Sequence, residues 1–118
     1  MVYRIINKTK DSVLASQAKI ADNFFKRFLG LMFRKSLSKE EALIFFRAPS
    51  IHTFFMRFAL DILFLDKEGK VLRIARKIKP WRMVFCRNSS VTVEFSSENN
   101  NLAKTSPGDF IIIENVVK

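Results

Sequence analysis

The chain has 118 residues, 48% of them hydrophobic, and a net charge of +10. Its length fits one domain, so residues 1–118 are predicted to fold as a single unit. The lone cysteine, Cys86, excludes an intrachain disulfide and favours a reducing compartment. No apolar stretch is long enough for a signal peptide or a transmembrane helix, so we expect a cytoplasmic location. The charge indicates either an anionic partner, such as an anionic ligand or an acidic protein, or a solubilising surface alone.

The first part of the chain is predicted to hold two strands and a helix. Val2–Ile6 and Ser12–Ile20 are typical of strands, and the polar residues 8–11 form the turn between them. Asp22–Phe33 is predicted to be an amphipathic helix that covers the core. The alternative is a basic amphipathic helix on a membrane surface. The residues expected to pack on the core are Phe24, Phe28 and Met32.

From Leu43 onward the hydrophobic period is close to two, which is typical of strands. Leu43–Phe46 predicts a short strand. The segments His52–Phe58 and Asp61–Asp66 are apolar on both faces, so they suit the central strands of a sheet. Residues Asp66–Lys70 predict a tight hairpin in which Gly69 is free to adopt a positive φ.

The last third of the chain predicts two more strands, a turn and a closing strand. In Val71–Ile78, alternation places Leu72, Ile74 and Ile78 on one face and Arg73 and Lys77 on the solvent face. In Ser90–Phe95, Glu94 is expected to face outward. Ser106–Asp109 predicts a turn, and Phe110–Val117 predicts the closing strand.

These elements predict a mainly β (α+β) fold. We expect a compact β-sandwich or barrel-like domain with one packed amphipathic helix. The expected core residues include Phe54, Met56, Ile62, Phe64, Val93 and Ile112.

His52 is the only histidine, so any imidazole chemistry would have to use it. A small enzyme could pair His52 with Asp61 or Glu94 as acid and base. The alternative is a structural histidine on the core face, at a strand end. Cys86 is expected to be a buried thiol. No spacing of Cys and His predicts a metal site and no glycine-rich loop predicts a nucleotide site, so no metal or cofactor is expected.

Positive charge is concentrated in residues 67–87, which we call the basic segment. It holds eight Lys and Arg residues against Glu68 alone, so seven of the ten excess charges lie there. The only tryptophan, Trp81, stands beside cations and could stack on a ring while they pair an anion. The alternative is a solvated strand face with a core tryptophan, and structural ion pairs for Arg57 and Asp61. The predicted ligand-binding residues are Arg57, Arg73, Lys77, Lys79, Trp81 and Arg82.

Four motifs resemble a known family. They are Arg27-x-x-Gly30-Leu31-Met32-x-Arg34, the block from His52 to Asp66, Lys79-Pro80-Trp81-Arg82, and Pro107-Gly108-Asp109. In this order the chain is similar to the domain of unknown function 192 family. The resemblance implies a compact β-sandwich or barrel with the Gly-Leu-Met helix packed on it, and it implies no established activity. The chain departs from the family pattern at Ala59, where a proline often stands, and at Glu98, near a usual glycine.

The sequence therefore favours a small non-enzymatic binding or accessory module that uses the basic segment. One alternative is a small enzyme based on His52. The other is an adaptor that binds nucleic acid or a membrane surface by charge alone.

Overall fold

The computed structural model describes residues 1–21, 37–53, 57–97 and 100–116. Within these ranges the chain forms nine strands and one short helix, Asn100–Ala103. The strands are β1 (Val2–Asn7), β2 (Ser12–Ile20), β3 (Glu41–Phe46), β4 (Ser50–His52), β5 (Leu60–Leu65), β6 (Val71–Ile78), β7 (Met83–Phe85), β8 (Val91–Ser96) and β9 (Ile111–Val116). Seven strands form the main sheet in the order β6-β5-β8-β3-β2-β1-β9, and β4 pairs with β7 in a small sheet.

Among the strand pairs that the structure describes, only β2 with β3 is parallel. A parallel neighbour needs a crossover connection, and residues 21–40 provide it. The predicted helix Asp22–Phe33 belongs to this crossover and lies outside the described residues. The same holds for its expected packing residues Phe24, Phe28 and Met32.

The two edge strands of the main sheet, β6 and β9, meet at one end. Lys70 and Phe110 form an isolated antiparallel bridge there. Beside the bridge, the Val71 amide donates to the Asp109 carbonyl (2.8 Å), and the Ile111 amide donates to the Gly69 carbonyl (2.8 Å). We call these contacts the edge junction. The main sheet therefore curls on itself without closing into a barrel, because among the described strands β6 itself pairs only with β5.

A buried polar cluster ties the edge junction to the turn between β1 and β2. Asp109 Oδ2 accepts hydrogen bonds from Asn7 Nδ2 (3.0 Å), Lys10 Nζ (2.8 Å) and the Ser106 amide (3.0 Å). Burial opposes ionisation of this carboxyl, but the donors outweigh burial and lower the pKa of Asp109 to about 2. The ionised carboxylate therefore stabilises the fold, and this contribution is lost as the pH falls from 3.8 towards about 2.

The main sheet is buried on both faces around β5 and β8. Ile44, Leu63 and Phe95 form the core on its inner face, inside the curl, and Leu102 of the short helix packs into them. On the outer face a second core includes Ile51 and Val84, which come from the small sheet. Because both faces are covered, all six residues of β5 are buried. The prediction of a mainly β fold is confirmed.

Several local predictions are confirmed. The first two predicted strands correspond to β1 and β2, and the last corresponds to β9. The hairpin before β6 holds Gly69 at a φ of 90°, and the turn before β9 holds Gly108 at a φ of 95°. Three expected core residues, Ile62, Phe64 and Val93, are fully buried.

Three predictions about strand faces are wrong. Ile112 is 39% exposed, because alternation turns it away from the inner core, against which its neighbours Ile111 and Ile113 pack. Glu94 is buried rather than outward, because its face of β8 is the outer face of the main sheet, which is also covered. Ile78 packs in the outer core while Ile74 packs in the inner core. An irregularity in β6 opposite Asp61 shifts the register and reverses the alternation.

The predicted strand His52–Phe58 is wrong in its described part. The strand β4 ends at His52 and pairs with β7, not with the main sheet. Arg57 and Phe58 lie in a bend, and residues 54–56, with the expected core residues Phe54 and Met56, lie outside the described residues. His52 is exposed, so it does not share a core face.

We expect Gly69→Ala to destabilise the fold more than Gly108→Ala. Both glycines have a positive φ, so either alanine costs about 1 kcal/mol of backbone strain. At Gly69 a Cβ would also lie 2.5 Å from the Ile111 carbonyl oxygen, whereas at Gly108 it would meet no atom within 4 Å. Urea unfolding should show losses of about 1 kcal/mol for Gly108→Ala and more than about 2 kcal/mol for Gly69→Ala. Equal losses of unfolding free energy in the two variants would show that Gly69 and Ile111 can move apart without destabilising the fold.

Candidate binding surface

The small sheet has one face on the core and one face in solvent. Ile51 and Val84 pair with each other and are buried, so strand alternation turns their neighbours outward. Met83 and Phe85 are 51% and 59% exposed, and Trp81, which precedes β7, is 57% exposed. We call Trp81, Met83 and Phe85 the apolar stripe. Large apolar side chains that lie together in solvent are typical of an interaction surface.

A buried threonine holds the loop Lys79–Arg82, which carries Trp81. The Thr53 carbonyl accepts from the Trp81 amide (3.0 Å), and the Thr53 amide donates to the Arg82 carbonyl (2.8 Å). The Thr53 hydroxyl donates to the Lys79 carbonyl (2.6 Å) and accepts from the Arg82 amide (2.9 Å). Sequence reasoning missed Thr53, because a single threonine after a histidine carries no signal of its long-range partners.

Two residues of the basic segment have strained backbones. Trp81 and Lys77 adopt positive φ values of 65° and 52°. This region costs a non-glycine residue about 1 kcal/mol or more, so neighbouring contacts must impose it. At Trp81 the contacts are the hydrogen bonds of Thr53. At Lys77 the amide donates to Asp61 Oδ1 (2.7 Å), beside the register irregularity between β5 and β6.

Cations stand at both ends of the apolar stripe. Arg73 Nη1 donates to the Phe85 carbonyl (2.6 Å), which places Arg73 beside one end. Lys79 and Arg82 are exposed at the other end, in the loop that carries Trp81. The structure therefore brings together four of the six predicted ligand-binding residues.

The other two predicted cations are exposed elsewhere. Arg57 lies in the bend before β5, and Lys77 lies near the end of β6. In the described part of the chain, salt bridges join only Arg4 to Glu114 and Lys10 to Asp109. The cations of the basic segment thus form no ion pair with any residue that the structure describes.

Asp61 is a structural residue on the inner face of β5. It is buried and stands opposite Phe95 of the inner core. Desolvation raises the pKa of Asp61, although the Lys77 amide and the charge of Arg76 favour its ionised form. Arg76 in turn donates to the carbonyls of Leu102 (3.0 Å) and Thr105 (2.8 Å), so it anchors the short helix.

The structure does not bring His52 together with either carboxylate proposed as its partner. His52 is exposed on the solvent side of the small sheet, whereas Asp61 lies on the inner face of the main sheet. Glu94 is buried on the outer face of the main sheet, opposite Ile62, whereas His52 is exposed at the end of β4. Cys86 is half-buried, not fully buried.

Two absences hold for the residues that the structure describes. No group of three or more His, Cys, Asp or Glu residues could hold a metal ion. No helix in those ranges has the length and apolar character needed to cross a membrane.

The protein is of the mainly β class: a curled seven-stranded sheet is partly covered by a small two-stranded sheet, which presents a basic surface to solvent. The chain belongs to the family described as Uncharacterized ACR, the domain of unknown function 192 family, whose profile matches residues 5–113. The resemblance that the four sequence motifs indicate is therefore confirmed.

Relatives of this family occur in archaea. A UPF0127 protein of Thermococcus sibiricus is 43% identical over 84 residues, which cover 66% of this chain and 53% of that protein. A UPF0127 protein of Pyrococcus furiosus is 39% identical over 85 residues, which cover 66% of this chain and 69% of that protein. The match thus spans about half the length of the first relative and about two thirds of the second.

Two solved structures share the fold. A protein of unknown function from Novosphingobium aromaticivorans has a TM-score of 0.75 at 23% identity, covering 93% of this chain and 82% of that chain. A protein from Sinorhizobium meliloti, named as a candidate transcription regulator, has a TM-score of 0.79 at 19% identity, covering 94% and 91%. At these identities the likeness concerns the fold alone.

Thr53→Val should loosen the loop Lys79–Arg82 while keeping the shape of the side chain. The variant loses the hydroxyl that bonds to the Lys79 carbonyl and the Arg82 amide. Unpaired buried groups cost about 1–3 kcal/mol, so the Arg82 amide should exchange its hydrogen about tenfold faster or more. Thr53→Ser, which keeps the hydroxyl, is the matched control. Equal exchange in the two variants would contradict the role given to Thr53.

Asp61→Asn should make stability less dependent on pH. A raised pKa means that the protonated carboxyl favours the folded state, so this stability is lost as the pH rises through the folded pKa, which lies above 3.8. Asparagine still accepts from the Lys77 amide and cannot ionise. We expect the variant to be at least as stable as the wild type in urea at neutral pH, with exposed Glu68→Gln as the control. If the variant instead lost more than about 1 kcal/mol of unfolding free energy, the attraction of Arg76 and Lys77 for the ionised carboxylate would outweigh the cost of burying it.

Proposed function

We propose that this chain is a non-enzymatic binding module that holds single-stranded nucleic acid on the apolar stripe. The observation that carries the proposal is the exposure of Trp81, Met83 and Phe85, each more than half in solvent, beside cations that form no salt bridge with the described residues. Met83 and Phe85 are two apart on β7, so they repeat at about 7 Å and share a face, and Trp81 lies in the loop that precedes them. Aromatic side chains stack on any base, and cations follow the backbone.

The charge distribution supports an anionic ligand. The chain carries ten excess positive charges, and seven of them belong to the basic segment. Arg73, Lys79 and Arg82 flank the apolar stripe and make no salt bridge with the described residues. Charges of one sign on one surface attract an oppositely charged ligand from a distance and release its counterions on binding.

Other classes of function have less support. The enzyme alternative needs His52 beside Asp61 or Glu94, and these side chains lie on different layers. An adaptor that works by charge alone, on nucleic acid or a membrane surface, would not need the apolar stripe to be exposed. An acidic protein would also match the charge, but the side chains suited to stacking favour bases. The lone thiol of Cys86 fits a cytoplasmic location, which we include in the proposal together with a single domain over residues 1–118.

The binding test uses the only tryptophan as its own reporter. Because Trp81 is exposed and unique, a base that stacks on it should quench the intrinsic fluorescence directly. We expect short single-stranded oligonucleotides to quench the signal in a saturable way at moderate salt. Their affinity should fall with salt, with a slope that counts the phosphates engaged. An anionic oligosaccharide of equal charge serves as the comparison, and equal binding of both would remove the argument for bases.

Charge variants show whether binding is local. Lys79→Glu with Arg82→Glu reverses two charges beside Trp81 and leaves intact the backbone groups that Thr53 holds. Lys8→Glu with Lys19→Glu makes the same change in net charge on exposed positions of the β1–β2 hairpin. We expect the first pair to weaken binding at least about tenfold and to lower the salt slope by about two, and the second pair to change little. Equal effects of the two pairs, or no quenching of the wild type, would contradict the proposal.

A further inference from the structure

An open groove of about 820 Å³ lies beyond the Phe85 end of the apolar stripe. Its wall includes Arg47 and Pro49 from the loop after β3, Lys67 from the hairpin before β6, and Ser90 before β8. The Pro49 carbonyl accepts from the Cys86 amide (2.7 Å), so the groove adjoins the end of β7. None of the six predicted ligand-binding residues lines it.

The lining of the groove is cationic. Arg47 and Lys67 are both exposed, and no carboxylate side chain is among the described residues of the wall. Neither cation makes a salt bridge or a side-chain hydrogen bond within the described part of the chain. Two unpaired cations that share one concave wall favour an anion with more than one negative charge. Phe46, which is 47% exposed, adds an apolar surface beside them.

The backbone that carries Arg47 is strained and held in place. Arg47 has a φ of 56°, a conformation that costs a non-glycine residue about 1 kcal/mol or more. Its amide donates to the Ser90 carbonyl (2.9 Å), across the groove wall. A glycine would adopt this conformation without strain, so the fold alone does not explain an arginine here.

A network of buried hydroxyl groups makes the wall rigid. Thr92 Oγ1 donates to the Ala48 carbonyl (2.6 Å) and lies 3.0 Å from Ser89 Oγ. Ser89 Oγ also donates to the Val91 carbonyl (3.1 Å), so this hydroxyl is already engaged. These bonds fix the chain directly after Arg47 and on both sides of Ser90. The Ser90 hydroxyl forms no hydrogen bond with the described residues, which leaves it available to a ligand.

We propose that this groove binds a phosphomonoester with a flat apolar body. Arg47 and Lys67 pair with the phosphate, Ser90 donates a hydrogen bond to it, and the apolar body lies on Phe46. The proposal is independent of nucleic-acid binding on the apolar stripe, because the two surfaces use different residues. The phosphate could come from a free small molecule or from the phosphorylated end of an oligonucleotide.

Two-dimensional amide NMR with phenyl phosphate as the probe tests the groove. We expect saturable shifts at the amides of Arg47, Lys67 and Ser90. Phenol lacks the charge and inorganic phosphate lacks the ring. Each should therefore bind at least about tenfold more weakly than phenyl phosphate. Shifts that are equal for phenol, or that scatter over the whole surface with phenyl phosphate, would overturn the proposal.

Variants of the cations are the second arm of the test. Arg47→Gly removes the guanidinium and suits the local φ, so the fold should be retained. We expect Arg47→Gly and Lys67→Gln each to weaken phenyl phosphate binding about tenfold. Lys19→Gln, an exposed lysine on β2, should bind like the wild type. Wild-type affinity in both groove variants, with a folded spectrum, would overturn the proposal.

Oligonucleotides with and without a 5′-phosphate distinguish the two sources of the ligand. If the terminal phosphate is the source, the phosphorylated oligonucleotide should bind more tightly than phenyl phosphate and lose its advantage in Arg47→Gly. If a free phosphomonoester is the source, the two oligonucleotides should bind equally and phenyl phosphate should still shift the groove. Either result supports phosphomonoester binding in the groove. If none of these probes bound there, the proposal would be wrong.

Discussion

The edge junction is the contact on which the curl of the main sheet depends. A seven-stranded sheet has two edges with unpaired backbone groups, and here they meet where Gly69 approaches Ile111. The approach leaves no room for a Cβ at Gly69, since it would lie 2.5 Å from a carbonyl oxygen. The carboxylate of Asp109 joins the edge junction to the turn between β1 and β2 by accepting hydrogen bonds from Asn7 and Lys10. These donors and the Ser106 amide keep the carboxylate ionised. The curl of the sheet and the hydrogen bonds of Asp109 together enclose the inner core.

The curl has a consequence for the opposite side of the sheet. The inner core uses one face of β5, and the other face is equally apolar, so it needs a second layer. The small sheet supplies part of that layer through Ile51 and Val84. Two strands can offer only one face to the core, so Met83 and Phe85 must face solvent. The apolar stripe is thus the outer side of a layer whose inner side is needed for burial.

Much of this could be predicted from the sequence, because strands with period two and glycines in turns are local signals. The failures share a physical origin in long-range contacts. The alternation of β6 reverses near Lys77, whose amide meets Asp61 sixteen residues away, and no local pattern encodes that hydrogen bond. Glu94 was expected in solvent because alternation makes its face of β8 polar, and no local pattern shows that this face is covered. The basic segment is a local signal in the sequence, but Thr53, which positions Trp81, bonds to residues 26 and 29 positions away.

A strained residue lies on each of the two proposed surfaces, Trp81 on the apolar stripe and Arg47 in the groove. The described non-glycine residues with a positive φ are Asp11, Arg47, Lys77 and Trp81. Asp11 lies in a turn, where aspartate tolerates this conformation through its short polar side chain. The other three are long cationic or aromatic residues, for which glycine would be the less strained choice. The amide of each donates to a specific acceptor: the Ser90 carbonyl for Arg47, Asp61 Oδ1 for Lys77 and the Thr53 carbonyl for Trp81. At Lys77 the strain belongs to the register irregularity of β6. At Arg47 and Trp81, which lie on the two proposed surfaces, the fold holds a large side chain where glycine would cost less, and this supports a binding role for both surfaces.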